Sequence, residues 1–198
     1  MKLVVRIAAM LCALALGGCS YFKNTEGLTV LFAGKDSGTF VRVGDAQWRL
    51  ADGVLGADAG TGFLVTKETF RDFQLHVELY VEADTHAGIF LRCDNAANPS
   101  AQECYEVSAW DRRPSPEFRT GAIVDVAKAS APATAGGKWN TFEITAKGDQ
   151  IVVVVNGTKT AEAHDARHRE GPIALMRSGG AADDKAPLRV RRIEVRRL

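Results

Sequence analysis

The chain has 198 residues, of which 46% are hydrophobic and 25% are charged. This balance is typical of a globular protein and excludes a disordered chain, a collagen or a long coiled coil. Lys and Arg number 25 against 24 Asp and Glu, so no bulk positive charge indicates a nucleic-acid partner. The 19 glycines separate short β-branched runs, which favours an all-β protein with one domain or at most two small ones.

The N-terminus predicts a lipoprotein signal peptide. Lys2 and Arg6 precede an apolar run at 7–16 that is too short to span a bilayer and fits the core of a secretory signal. Small residues then lead directly to Cys19, a pattern that resembles a bacterial lipobox, in which the cysteine is lipidated and becomes the mature N-terminus. Ser20 after it resembles the outer-membrane class of lipoproteins.

These features divide the chain into a signal peptide at 1–18, a tether at 19–27 and a single domain at 28–198. Each buried CH₂ of an acyl chain contributes ~0.8 kcal/mol, so lipid on Cys19 would hold the protein at a membrane. The expected location is the bacterial cell envelope, at the outer membrane facing the periplasm. The alternative is ordinary signal cleavage with Cys19 as a bystander.

The first strands after the tether are short β-branched or aromatic runs at 28–32, 53–57 and 62–66. Residues 72–82 then alternate strictly between apolar and polar side chains, which predicts a strand with one face in a core. Further strands are expected at 87–93 and 103–110.

Cys93 and Cys104 flank a polar stretch that resembles a loop. An exported chain enters a compartment that permits disulfides, so we predict a bridge, which contributes ~3 kcal/mol on the loop-entropy model. Two free buried thiols are the alternative. Two cysteines without nearby histidine pairs do not make a zinc site.

The C-terminal third predicts a three-strand meander at 140–164, with a type I′ turn at Asn156-Gly157, and a strand at 172–176. The last strand, 188–198, breaks its own alternation, and a β-bulge near Arg191-Arg192 would restore it. Its five arginines suggest either a basic patch or a solvated strand face. About a dozen strands without helical periodicity predict two packed antiparallel sheets, a sandwich or jelly roll.

Alternation in the strands at 87–93 and 103–110 turns one set of residues away from the core, namely Gly88, Phe90, Arg92, Glu106, Ser108 and Trp110. Exposed Phe and Trp side chains are costly unless they cover or bind something. An apolar plate beside a carboxylate and a guanidinium suits a sugar ring and its hydroxyls. The alternative is that both aromatics lie under a loop and that Arg92 and Glu106 form a structural ion pair.

At these residues the chain resembles the 3-keto-disaccharide hydrolase family, whose members are also described as 3-keto-glucoside 1,2-lyases and 3-keto-2-hydroxy-glucal hydratases. The segments that carry the likeness are, in chain order, 31–36 (LFAGKD), 63–68 (FLVTKE), 72–75 (DFQL), 87–92 (AGIFLR), 105–107 (YEV) with Asp111, 120–123 (TGAI), 138–143 (KWNTFE) and 171–175 (GPIAL). The likeness covers essentially residues 28–198 and implies a concanavalin A-like jelly roll.

The resemblance also implies a substrate and a mechanism. A ketone at carbon 3 of a sugar acidifies the hydrogen on carbon 2, so a base starts elimination of the aglycone and water then adds back. Glu106 is our candidate for the base or a sugar or metal ligand, and Arg92 for stabilising the enolate oxygen. Asp111 and His86 are further candidates, with His86 an acid or base near neutral pH, although a lone histidine is often only polar surface.

The expected substrate contacts are Phe90 and Trp110, which would stack on the sugar, together with Lys67 and Ser108. A divalent cation would polarise the ketone, although no clear set of ligands is visible in the sequence. Ser108 and Met176 stand where the family often has a polar amide side chain. Two rival hypotheses are a non-catalytic, lectin-like module that binds carbohydrate and a structural envelope lipoprotein with a protein partner.

Overall fold

The structure is a computed structural model that describes residue 24 and the ranges 26–35, 38–178 and 186–198. The predicted signal peptide and Cys19 lie outside the described residues. In the described ranges, no helix is long and apolar enough to cross a bilayer.

The strands of the described residues run in chain order as β1 (Leu28–Phe32), β2 (Phe40–Gly44), β3 (Trp48–Ala51), β4 (Val54–Ala57), β5 (Gly62–Thr66), β6 (Phe73–Val81), β7 (His86–Leu91), β8 (Tyr105–Ser108), β9 (Lys138–Lys147), β10 (Gln150–Val155), β11 (Thr158–His164), β12 (Ala174–Ser178) and β13 (Leu188–Arg197). One turn of 3₁₀-helix, Pro116–Phe118, lies in the loop between β8 and β9.

The strands form two antiparallel sheets. The larger sheet has eight strands in the order β11-β10-β9-β6-β13-β4-β3, with β1 also paired to β13. The smaller sheet has five strands in the order β2-β5-β12-β7-β8. This confirms the all-β, antiparallel two-sheet sandwich predicted from the alternation of apolar residues.

The main core lies between the two sheets, and β6 shows how the sequence builds it. Phe73, Leu75, Val77, Leu79 and Val81 are each at most 1% exposed and belong to the main core cluster. Since side chains of a strand point to alternate faces, their spacing of two puts all five on the inner face. β13 and β9 pair with β6 on either side, which extends this face into a broad apolar layer.

Two local predictions are confirmed by the backbone. The register of β13 against β6 shifts between Val190 and Arg192, which is the bulge that the broken alternation required. Asn156 and Gly157 have φ angles of 50° and 78°, as a type I′ hairpin turn needs.

β2 and β3 were not predicted, and both are edge strands. β2 lies at one end of the smaller sheet and β3 at one end of the larger sheet. Most of their side chains are exposed or half-buried, so no alternation of apolar residues marks them.

The five arginines of β13 do not form a free basic patch. Each has an acceptor in the structure: Asp58 for Arg189, Glu78 for Arg191, Glu194 for Arg192, the Asn24 carbonyl for Arg196 and Glu68 for Arg197. The interpretation as a solvated, charge-paired strand face therefore holds.

The predicted disulfide is confirmed. Cys93 and Cys104 are bonded, with their Cα atoms 4.2 Å apart. The bond joins the end of β7 to the start of β8, the strand that carries Glu106. It therefore ties together the two strands from which the candidate site is built.

Candidate functional site

The candidate site lies on the outer face of the smaller sheet, over β7 and β8. Phe90 of β7 is paired with Glu106 of β8, and Gly88 is paired with Ser108. Because paired residues point to the same face of a sheet, all four lie on the side away from the main core, as their alternation predicted.

Glu106 forms an ion pair with Arg113. Nη1 of Arg113 donates to Oε1 of Glu106 across 2.8 Å, and the Glu106 side chain is almost completely buried. Among the described residues, Arg113 is the one side chain that bonds this carboxylate, so Oε2 is left to accept a proton.

Opposing effects set the pKa of the Glu106 carboxyl. Burial raises the pKa above its ordinary value of 4.5, Arg113 opposes this rise, and the nearby negative charge of Asp125 adds to it. The net effect is an increase. A carboxylate with a raised pKa and one free oxygen suits proton abstraction near neutral pH.

His86 and Trp110 complete a compact group beside this pair. Their rings are stacked, with centroids 4.1 Å apart and planes at 21°, and the Arg113 guanidinium lies 5.8 Å from the Trp110 ring centroid. We call Glu106, Arg113, Trp110 and His86 the carboxylate cluster. Since His86 covers one face of Trp110, that face is not open to a ligand.

Burial lowers the pKa of His86 to about 4, and the positive charge of Arg113 adds to this effect. The imidazole is therefore neutral at pH 7. This corrects the expectation that His86 titrates near neutral pH, because the ring is half-buried between Trp110 and the sheet rather than on open polar surface.

Gly88 gives the cluster room over β7. A Cβ atom at this position would lie 3.0 Å from Cε2 of Phe90 and 3.2 Å from Cγ of Glu106. Both distances are tighter than ordinary van der Waals contact. The absence of a side chain at Gly88 therefore lets Phe90 and Glu106 fold towards each other across the strand.

Ser108 lies beside Gly88 and is completely buried. Its Oγ atom has no hydrogen-bond partner within the part of the chain that the structure describes. Buried hydroxyls are rarely left unpaired, so this atom is a candidate to bind a ligand hydroxyl.

Phe90 points outward as predicted but is not an exposed plate. It is 1% exposed and belongs to a second apolar cluster with Val65, Met176 and the disulfide. Its ring packs edge-to-face on Phe63, with centroids 5.3 Å apart. The prediction that Phe90 stacks on a sugar is therefore wrong, because its neighbours on the outer face are also apolar.

Arg92 does not reach Glu106, contrary to the prediction. β7 ends at Leu91, and Arg92 has a φ of 51°, which breaks the strand alternation. Its fully buried guanidinium donates to the Arg71 and Gly148 carbonyls at 2.6 and 2.8 Å and to Asp72 at 3.2 Å. Arg92 thus cross-links segments of the fold, and its guanidinium is not placed to donate to an enolate beside Glu106.

Asp111 is also used within the fold. Its carboxylate accepts hydrogen bonds from the Thr120 hydroxyl at 2.6 Å and from the backbone N–H groups of Ala135 and Gly136 at 2.9 Å. These bonds hold the loop between β8 and β9 in place. The structure therefore makes Asp111 a loop anchor and not a catalytic group.

Lys67 lies outside the carboxylate cluster. It is exposed and directly follows β5, which is three strand spacings from β8 in the sheet order. Three spacings correspond to about 14 Å. The structure therefore does not bring Lys67 together with Glu106.

The described residues also decide whether the cluster could hold a metal ion. Across the described ranges, no three His, Cys, Asp or Glu side chains come together so as to hold a metal ion. The side chains around Glu106 therefore do not supply the donor set that a divalent cation needs.

A cleft of about 440 Å³ lies along the loop between β8 and β9, apart from the carboxylate cluster. Its walls include Asp111, Arg119 and the small residues at 129–134, and none of the carboxylate cluster lines it. The candidate site is therefore chosen for the buried ion pair of Glu106 and Arg113 and not for the volume of a cavity.

Sequence reasoning missed Arg113. It lies in the loop after β8, where no alternation indicates which way a side chain points. The adjacent arginines 112 and 113, directly after Trp110 and Asp111, were the one available signal. The two arginines differ only in where the loop places them. Arg112 pairs with Asp84 on the surface, whereas Arg113 reaches Glu106.

Comparison with known proteins decides the family. A family model described as a 3-keto-alpha-glucoside-1,2-lyase-like domain matches residues 27–196. The chain belongs to this family. No curated protein matches the chain.

Solved structures support the fold of this lyase-like domain. A candidate glycosyl hydrolase from Parabacteroides distasonis ATCC 8503 has a TM-score of 0.72 at 16% identity, covering 87% of this chain and 94% of its own. A second from the same organism has a TM-score of 0.65 at 19% identity, covering 76% and 90%. The carbohydrate-binding module CBM66 from Bacillus subtilis has a TM-score of 0.55 at 16% identity, covering 86% and 96%.

At these identities the likeness shows the fold alone, and these structures include both candidate hydrolases and a binding module. A protein from Bacillus subtilis with a galectin-like fold also matches, with a TM-score of 0.64 at 12% identity, covering 86% of this chain and 94% of its own. The lyase-like domain is therefore a jelly roll of the lectin type, as the resemblance in sequence implied.

Proposed function

We propose that the protein cleaves the glycosidic bond of 3-keto-glycosides, including 3-keto-disaccharides, by elimination followed by hydration. Membership of the 3-keto-alpha-glucoside-1,2-lyase-like family supports the substrate class. The observation that carries the chemistry is the buried Glu106 carboxylate, with one oxygen paired to Arg113 and the other without a partner among the described residues.

In the first step, Oε2 of Glu106 removes the proton from carbon 2, which the ketone at carbon 3 has acidified. The carbon–hydrogen electron pair forms the enolate, and its collapse breaks the bond from carbon 1 to the aglycone oxygen. The leaving oxygen takes a proton, for which the newly formed Glu106 carboxylic acid is the nearest source. Water then adds to the resulting glycal, so the net reaction is hydrolysis.

Arg113 takes the role first assigned to Arg92. One N–H of its guanidinium binds Glu106, and its other N–H groups have no partner among the described residues. A guanidinium carries five donors and stays charged, so the remaining donors suit a developing enolate oxygen.

Substitution of Glu106 by Gln tests the proposal. Glu106→Gln keeps the shape of the side chain but removes the base, so release of aglycone from a 3-keto-glucoside should fall by about 10²–10⁴-fold. Circular dichroism and thermal unfolding establish that the variant is folded. Glu117→Gln, at an exposed position in the following loop, is the matched control and should keep wild-type turnover. Wild-type turnover by Glu106→Gln would refute the role.

A non-catalytic carbohydrate-binding protein is the second candidate function. The fold shared with CBM66 favours it, because that fold serves a binding module there. On this hypothesis the wild-type protein releases no product from a 3-keto-disaccharide or from an alkyl 3-keto-glucoside, and Glu106→Gln only weakens binding. Incubation of the wild-type protein with both substrates, with and without chelator, separates the two functions.

We also propose that the protein is lipidated on Cys19 and held at the cell envelope, facing the periplasm. The support is the apolar run and the small residues before Cys19. Labelling of cells with a palmitate analogue should mark the wild-type protein and not Cys19→Ser. Absence of label on both would refute lipidation.

A further inference from the structure

The outer face of the smaller sheet has an apolar half that the proposed mechanism leaves unused. Val43 of β2 is paired with Phe63 of β5, Phe63 with Met176 of β12, and Met176 with Gly88 of β7. These side chains belong to the second apolar cluster, with Phe63 and Val43 only partly buried. A continuous apolar strip therefore runs across the sheet up to Gly88.

The polar half begins on the other side of Gly88. Ser108 of β8 pairs with Gly88 there. Glu106 lies two residues before Ser108 on the same strand and therefore points to the same face. The Oγ atom of Ser108 is buried and has no hydrogen-bond partner among the described residues, so a polar ligand group on this side would satisfy it. Gly88 itself has no side chain, and Phe90 and Glu106 fold towards each other over it, so the apolar and polar halves of the face meet at this residue.

We propose that Met176 and Phe63 are specificity-determining residues that receive an apolar aglycone, so that the preferred substrate is a 3-keto-glycoside with an alkyl or aryl leaving group. This inference rests on the proposed function and deepens it. The sugar ring lies beside Glu106 and the Ser108 hydroxyl, and the aglycone extends past the junction of the two halves onto the thioether and the phenyl ring. A second sugar in that place would leave its hydroxyls unpaired against carbon and sulfur, which disfavours it.

A row of polar residues next to this strip is an alternative place for the leaving group, and it would suit a second sugar. His86 is paired with Ser178, and the Ser178 hydroxyl is 3.1 Å from that of Thr61. A second sugar that extended along this row would find hydrogen-bonding partners. A preference for disaccharides, with loss of that preference in Ser178→Ala, would therefore overturn the proposal.

The test compares two substrates with the same leaving-group chemistry, methyl and hexyl 3-keto-glucoside. The wild-type protein should favour the hexyl substrate in kcat/KM by roughly tenfold or more, because each added CH₂ gains from burial. Met176→Gln should reduce this hexyl-to-methyl ratio to about a third or less, and Met176→Leu should restore it. Leu50→Gln, at an exposed apolar position on β3, is the matched control and should keep the wild-type ratio.

Failure of this inference differs from failure of the proposed function. A wild-type ratio near one, or an unchanged ratio in Met176→Gln, overturns the apolar aglycone site even if turnover is fast. If neither substrate is turned over, the proposed function fails, and calorimetric binding of unreactive methyl and hexyl glucoside then measures the same ratio. A binding ratio near one would overturn the inference there too, and a high ratio that falls in Met176→Gln would support it.

Discussion

Arg113 and Glu106, seven residues apart in the chain, form an ion pair of 2.8 Å that joins the loop after β8 to the outer face of the smaller sheet. The pair is 16% and 5% exposed at its two side chains, so solvent screens it only weakly. It places a cation and a base together at the one point of the site where the mechanism needs both.

Removal of Arg113 should change the pH dependence of catalysis. Glu106 acts as a base only when ionised, so activity falls as pH drops through its pKa. Burial raises that pKa above 4.5 and Arg113 holds it down, so Arg113→Met should move the acidic limb of kcat/KM to higher pH. We also expect kcat on the plateau to fall by about 10²-fold, because a donor to the enolate is lost.

The measurement is kcat/KM for a 3-keto-glucoside across the acidic range. Arg112→Met is the matched control, because Arg112 is exposed and pairs with Asp84 away from Glu106. An acidic limb at the same pH in Arg113→Met and wild type would contradict the coupling of the two groups.

Arg92 should matter for stability and not for catalysis. Arg92→Met leaves Asp72 and several backbone carbonyls without their donor, so we expect a loss of about 3 kcal/mol in the free energy of unfolding. Arg92→Lys should be similarly destabilised, since an ammonium cannot reproduce the guanidinium fork. Urea unfolding measures the loss. A stable Arg92→Met with strongly reduced kcat would return Arg92 to the catalytic machinery.

His86 should make the fold sensitive to acid. Its folded pKa of about 4 lies below the ordinary 6.5, so the folded state favours the neutral imidazole. This contribution to stability is present above pH 6.5 and is lost as pH falls towards 4, because the unfolded chain binds a proton that the folded chain excludes. His86→Gln should therefore flatten the fall in Tm between those two pH values.

His164→Gln is the control for that experiment, since His164 is largely exposed and pairs with Asp149 at the surface. Its Tm profile should stay parallel to the wild-type profile. If the His86→Gln profile is also parallel to wild type, the neutral, buried state of His86 is wrong.

The strands that carry alternating apolar residues could be predicted because one face of each lies against the core. β6 is the clearest case, and the bulge of β13 followed from the same rule. The disulfide was predictable because Cys93 and Cys104 end adjacent strands across a polar loop. β2 and β3 were missed because most of their side chains are exposed or half-buried, so apolar residues do not alternate clearly along them.

The sandwich, the disulfide and the outward direction of Glu106, Ser108 and Phe90 could be predicted from the chain, since each depends on local alternation or spacing. The identity of the cation that pairs with Glu106 depends on the fold. The positive φ of Arg92 directs its side chain towards buried backbone carbonyls, to which it donates hydrogen bonds. The loop after β8 instead brings Arg113 to the Glu106 carboxylate. Both outcomes depend on how loops fold and on contacts between distant segments, which the alternation of apolar and polar residues does not predict.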